Sequence, residues 1–78
     1  MEKSADQDCF LRDYAYTSNI MVSGKHNLQD TPEACQLSCQ EITGCTHWTW
    51  LPDNNYCELK DQTFALPYPG AVSGPRSC

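Results

Sequence analysis

Thr31-Pro32-Glu33-Ala34-Cys35-Gln36-Leu37-Ser38-Cys39-Gln40-Glu41-Ile42-Thr43-Gly44-Cys45 is the stretch that decides the fold. Thr31 suits an N-cap, because its hydroxyl accepts an amide proton that a first helical turn leaves without a partner. Pro32 fits the first helical position, where a missing N–H costs nothing. Glu33 places a negative charge at the positive end of the helix dipole. Residues 34–42 hold good helix formers, and Gly44 offers a C-terminal stop. Cys35, Cys39 and Ile42 recur at i, i+4 and i+7, so they share one face. Both helical cysteines therefore point at whatever the helix packs on.

Downstream the period changes to two. Cys45-Thr46-His47-Trp48-Thr49-Trp50 is β-branched and aromatic and reads as a strand. Pro52-Asp53-Asn54-Asn55 is turn chemistry, and Tyr56-Cys57-Glu58-Leu59-Lys60 is the return strand of a hairpin. Alternation puts Trp48 and Trp50 on one face, expected to cover the helix, with Trp50 partly exposed near the loop and His47 outward. Cys57 and Leu59 share one face, Glu58 and Lys60 the other. Beyond, Thr63-Phe64-Ala65-Leu66 reads as a short edge segment before Pro67 and Pro69, and residues 70–74 as a small-residue strand or turn. Upstream, Cys9-Phe10-Leu11-Arg12 is a first strand, residues 13–18 alternate as an extended segment, Asn19-Ile20-Met21-Val22 is another short strand, and residues 26–30 are loop. Strands, one helix, then strands make an α+β protein. Residues 1–8, MEKSADQD, form a polar tail without the apolar stretch of a signal peptide. Residues 9–78 form a single module.

Composition supports a stapled domain. Six cysteines in 78 residues reach the density of disulfide scaffolds. A chain this short buries only about 60–65 % of its unfolded surface, so its core needs help. An even set of cysteines in a small domain implies disulfides and an oxidising compartment. With no export signal in its first residues, the chain is expected to be one module of a larger secreted protein. Six cysteines allow fifteen pairings, and sequence alone does not choose. Helix geometry narrows them: Cys45, just past Gly44, can fold back on Cys39; Cys57, mid-strand, can meet Cys35; Cys9 and Cys78 then tie the ends. Taken singly, loops of those lengths are worth about 2.4, 3.4 and 4.4 kcal/mol in the chain-entropy model.

A capped helix with Cys-x-x-x-Cys, then Gly44-Cys45-Thr46-His47-Trp48-Thr49-Trp50, then Tyr56-Cys57-Glu58-Leu59-Lys60, resembles the PAN/apple module. The tail Pro69-Gly70-Ala71-Val72-Ser73-Gly74-Pro75-Arg76-Ser77-Cys78 is similar to the closing segment of apple modules in coccidian microneme adhesins. The resemblance covers Cys9 to Cys78. It implies a curved antiparallel sheet cradling one helix, with the nested pairing Cys9–Cys78, Cys35–Cys57 and Cys39–Cys45. Plasminogen-type and growth-factor relatives lack the terminal bridge, so Cys9 and Cys78 place the chain on the apple side. The resemblance also implies secretion, through the microneme organelle if the parasite likeness holds.

The chemistry-bearing residues are sparse. Cys35, Cys39, Cys45, His47 and Cys57 could be written as zinc ligands, but the paired spacing of common fingers is half present and a disulfide scaffold explains the helical pair. His26 and His47 are the only histidines, no Gly-x-Ser-x-Gly elbow accompanies them, and the carboxylates are spread out. No catalytic residue, metal or cofactor is therefore assigned, and the chain is not read as an enzyme. The net charge is −5, with Lys3, Arg12, Lys25, Lys60 and Arg76 scattered singly. That argues against nucleic acid, against an anionic membrane surface, and against the heparin-like glycans some family members bind through basic clusters. No run is long and apolar enough for membrane insertion. The aromatics suit recognition of proteins or neutral sugars, since Tyr and Trp combine contact area with a polar tip. The candidate ligand-binding residues are Tyr14, Tyr16, His26, Trp50, Tyr56, Lys60 and Tyr68. The expected function is an adhesion module of a multi-module parasite protein, meeting other secreted adhesins, host-surface proteins or glycans, with neighbouring apple modules in the same chain. The alternative is a structural spacer in a tandem array.

Overall fold

The computed structural model describes residues 9–17, 20–61 and 64–78. The expected tail at residues 1–8, and the positions Ser18, Asn19 and Thr63 within expected strands, lie outside the described residues. The elements run β1 (Leu11–Tyr16), β2 (Ile20–Val22), a 3-10 turn (Gly24–His26), α1 (Pro32–Glu41), β3 (His47–Leu51), β4 (Tyr56–Lys60) and β5 (Ala65–Pro75). The strands form one five-stranded sheet in the order β1-β5-β3-β4-β2. Every pairing is antiparallel. The fold is α+β, a sheet cradling a single helix.

The helix forms where its caps demand. Thr31 is extended at the N-cap, and its hydroxyl accepts from the Ala34 amide at 3.1 Å. Pro32 opens the first turn, and Gly44 follows the last with φ +93°. The end is sealed from a distance. The Arg76 guanidinium donates to the carbonyls of Gln40 at 2.7 Å, and of Ile42 and Cys45 at 2.8 Å. A cation at the negative end of the helix dipole, satisfying its unpaired carbonyls, does the work of a C-cap.

Cys35 and Cys39 face the sheet and are buried with Cys45, Trp48, Cys57 and Leu59. Phe10, Val22, Ile42, Trp50 and Val72 pack around that cluster. Disulfides join Cys35 to Cys57 and Cys39 to Cys45, each with Cα atoms 5.4 Å apart. Much of the core is therefore cystine, which explains how so short a chain keeps a buried centre. Trp48 is its largest member: its ring meets Phe10 edge-on at 4.9 Å, and its Nε1 donates to the Pro75 carbonyl at 2.7 Å. The strand beneath it needs Gly74, because a Cβ there would stand 2.7 Å from the Trp48 ring.

The expected strand pattern changes in three places. The two upstream segments form one strand, β1, kinked at Asp13, which adopts φ 66°. There Asp13 alone stands against residues 68–71 of β5, a bulge closed by the Gly70 amide donating to the Asp13 carboxylate at 2.9 Å. Ahead of the expected loop and into its first residue, residues 24–26 make the 3-10 turn, and within the loop Leu28 bridges to Tyr56. The third change is the largest. The expected edge segment and small-residue strand are one eleven-residue strand, β5, running through Pro67 and Pro69. Only its second half lies between two strands, since β3 pairs with residues 72–75 alone. Pro67 opposes Tyr14, and the bonded pairs of this ladder are the alternate ones, since Thr17 N–H donates to the Phe64 carbonyl at 2.9 Å. The pair is thus not hydrogen-bonded, and the missing N–H of Pro67 falls on the open edge, where no ladder bond is lost.

Candidate functional site

The sheet face opposite the helix is crossed by the second half of β1. Tyr16 N–H donates to Thr49 Oγ1 at 2.9 Å, and Ser73 Oγ donates to the Tyr14 carbonyl at 2.7 Å. Thr49 and Ser73 hydroxyls touch at 2.8 Å. Ser73 has spent its one proton on Tyr14, so Thr49 is the donor between them. The result is a relay from the Tyr16 amide through two buried hydroxyls to the Tyr14 carbonyl. The Lys60 ammonium donates to the Tyr16 carbonyl and pairs with Glu58 Oε1 at 3.2 Å. The outer edge of β1, which no strand covers among the described residues, is satisfied by side chains. It is held across the sheet as an arm.

That arm sorts the expected ligand residues. Tyr14 is 39 % exposed and Tyr68 is 48 % exposed, on the arm and the bulge beside it. Tyr16 is half-buried, its ring edge-on to His47 at 5.0 Å. Burial raises the Tyr16 pKa and lowers that of His47, since each charged form would lose hydration. Lys60 corrects the reading of an outward, available lysine. It is 2 % exposed, covered by β1 and committed to Tyr16 and Glu58. The remaining three lie elsewhere, at the hairpin end and the loop before the helix. Trp50 is half-buried, with Nε1 donating to the Gln29 carbonyl at 2.8 Å. Tyr56 is half-buried and bridged to Leu28, while His26 is exposed on the 3-10 turn. The seven thus fall into two groups.

Sequence reasoning missed part of the arm. Phe64, Leu66 and Tyr68 alternate along β5 and its lead-in and share one face, with Phe64 63 % and Leu66 45 % exposed. Thr17 N–H donates to the Phe64 carbonyl at 2.9 Å, so the ladder extends to this residue. The alternation was readable, but Pro67 and Pro69 masked it as a broken segment. Among the described residues no group of three or more His, Cys, Asp or Glu stands placed to hold a metal ion.

An antiparallel sheet around one helix, tied by three disulfides with an exposed aromatic arm, is the architecture of a small disulfide-stapled α+β module. The family model for the PAN domain matches residues 14–63, and the chain belongs to that family. It is 32 % identical to the major microneme antigen of Sarcocystis muris, over 94 % of this chain and 30 % of that protein. It is 31 % identical to microneme antigen L2 of the same organism, over 94 % of this chain and 53 % of that protein. The chain thus spans about half the length of these relatives or less. Its fold matches the two N-terminal apple domains of Toxoplasma gondii microneme protein 4, with a TM-score of 0.75 at 24 % identity, covering 90 % of this chain and 44 % of that one. These likenesses make it similar to coccidian microneme apple modules.

Proposed function

We propose that the chain is a non-enzymatic recognition module of a secreted, multi-module adhesin, which meets a protein or a host-surface carbohydrate through the β1–β5 arm. One observation carries this reading. Phe64, Leu66 and Tyr68 stand exposed along one face of the arm and Tyr14, opposite Pro67, stands exposed on its other face, although side-chain hydrogen bonds fix its backbone. Rigid aromatics on a fixed ribbon give contact area at little entropic cost, which suits a recognition surface. A spacer module has no need to expose such a group. The similarity to microneme antigens supports a secreted setting, and three disulfides suit an oxidising compartment.

The test is a glycan array and a pull-down on host-cell membranes and on parasite secreted proteins, with the folded module and with Tyr14→Ala/Tyr68→Ala. Binding by the parent and at least about tenfold weaker binding by the folded double variant is expected. Equal binding by both would move recognition to the second group, His26, Trp50 and Tyr56. Silence of the folded parent on every arm would leave the spacer reading standing instead.

A further inference from the structure

Of the three disulfides, two are sealed in the core and one is open to solvent. Cys35, Cys57, Cys39 and Cys45 are buried, whereas Cys9 and Cys78 are both exposed. Thiol–disulfide exchange requires a thiolate to reach a sulfur in line with the S–S bond, so it is closed at the first two bridges and open at the third. Both residues of that bridge are exposed, so residue exposure does not separate them, but the hydrogen bonds at Cys78 do. Cys78 Sγ receives the Cys9 amide at 3.2 Å and Gln36 Nε2 at 3.5 Å. Gln36 is held by α1 and also donates to the Pro75 carbonyl at 3.2 Å, so it stays aimed at the sulfur. Donors around a sulfur favour its thiolate and make it the better leaving group.

We infer that Cys9 is a thiolation site: a small thiol such as glutathione opens the Cys9–Cys78 bridge by forming a mixed disulfide on Cys9, while the module stays folded. The step balances without an outside oxidant. The incoming thiolate sulfur bonds to Cys9 Sγ, the Cys9–Cys78 bond breaks, and its electron pair leaves with Cys78 Sγ as a thiolate. A second thiolate attacking the adduct sulfur of the thiol, or Cys78 attacking Cys9, completes reduction or reverses the step.

Both sides of the opened bridge remain pinned. On one side Phe10 lies against Trp48, and Leu11 and Arg12 pair with Ser73 and Val72. On the other, Arg76 N–H donates to the Thr46 carbonyl at 2.8 Å, and Gln40 Nε2 to the Arg76 carbonyl at 3.0 Å. The opening is local, with each cysteine within two residues of a non-covalent anchor.

The experiment treats the native module with millimolar glutathione without denaturant, quenches with iodoacetamide and maps the adducts by mass spectrometry. The expected product carries glutathione on Cys9 over Cys78 by at least about five to one, with the alkyl group on Cys78. The other four cysteines stay unlabelled, and the near-UV dichroism stays that of the parent. Adducts shared equally between the two sulfurs, or favouring Cys78, overturn the assignment. Labelling of all six cysteines at one rate overturns the local opening. Gln36→Leu is expected to slow opening several-fold and move the adduct ratio towards parity. Gln40→Leu, which loosens the same tail without touching the sulfur, is expected to keep the parent ratio. If Gln36→Leu fails to fold, the parent's own partition decides.

Discussion

Gly74 lies under the Trp48 ring, with no room for a methyl group between them. Gly74→Ala therefore forces the largest core side chain off its seat, and a loss of about 1–3 kcal/mol is expected in urea unfolding. His47 sets an acid limit. Burial lowers its pKa, so below its ordinary value of about 6.5 the unfolded chain binds more protons than the folded one. Stability then rises with pH in that window and is lost as pH falls through it. Lys60 stands directly opposite on β4 and Glu58 beside it, so protonation brings a second positive charge to a site with one carboxylate. His47→Gln is expected to flatten the fall in urea midpoint between about pH 7 and pH 5. Tyr16 acts at the other end: its raised pKa means stability is lost as pH climbs above about 10, where the unfolded phenol ionises first. At this scale the sequence was least informative. An alternating strand puts Lys60 on the polar face, and only the arrival of Tyr16, distant in the chain, makes that face an interior.

Local chemistry made the helix and hairpin legible. The cap Thr31, Pro32 in the first turn and the apolar spacing of the helix need only neighbours a few residues away. The β3–β4 alternation is likewise a property of ten residues. β5 was not legible, because the cost of a proline depends on which side of a strand has a partner, and sequence does not carry that. The arm is also an element-level device. Its backbone is satisfied by hydroxyls where a strand would ordinarily serve. Ser73→Ala leaves the Tyr14 carbonyl and the Thr49 hydroxyl short of a bond, at a cost of about 1–3 kcal/mol. Amide exchange at Tyr16 should quicken by more than exchange in β3. An equal change at both would mean the arm and the sheet open as one unit.

Across the whole molecule the bridges divide the labour. Loop length alone ranks Cys9–Cys78 first, at about 4.4 kcal/mol against about 3.4 for Cys35–Cys57. Burial reverses the order, because removing Cys35 and Cys57 also empties two sites in the fully buried core cluster. Cys35→Ala/Cys57→Ala is expected to unfold the module or lower its melting point more than Cys9→Ala/Cys78→Ala does, as followed by calorimetry. Full reduction is expected to abolish the near-UV signal, whereas opening the outer bridge alone leaves it.

The outer bridge also decides how the module bears tension. A pull on Cys9 and Cys78 meets Cα atoms 5.7 Å apart joined by a covalent bond, so the load passes through sulfur and the sheet carries none. With that bond closed, the module is an inextensible bead on a string. With it open, the same pull is resisted by Phe10, β1 and the Arg76 anchor. Past that resistance, the separation of 69 residues, less the 22 that Cys35–Cys57 keeps closed, leaves 47 residues to pay out, roughly 160 Å of chain. A single exposed disulfide thus sets whether the ends of this domain behave as a rivet or as a spring.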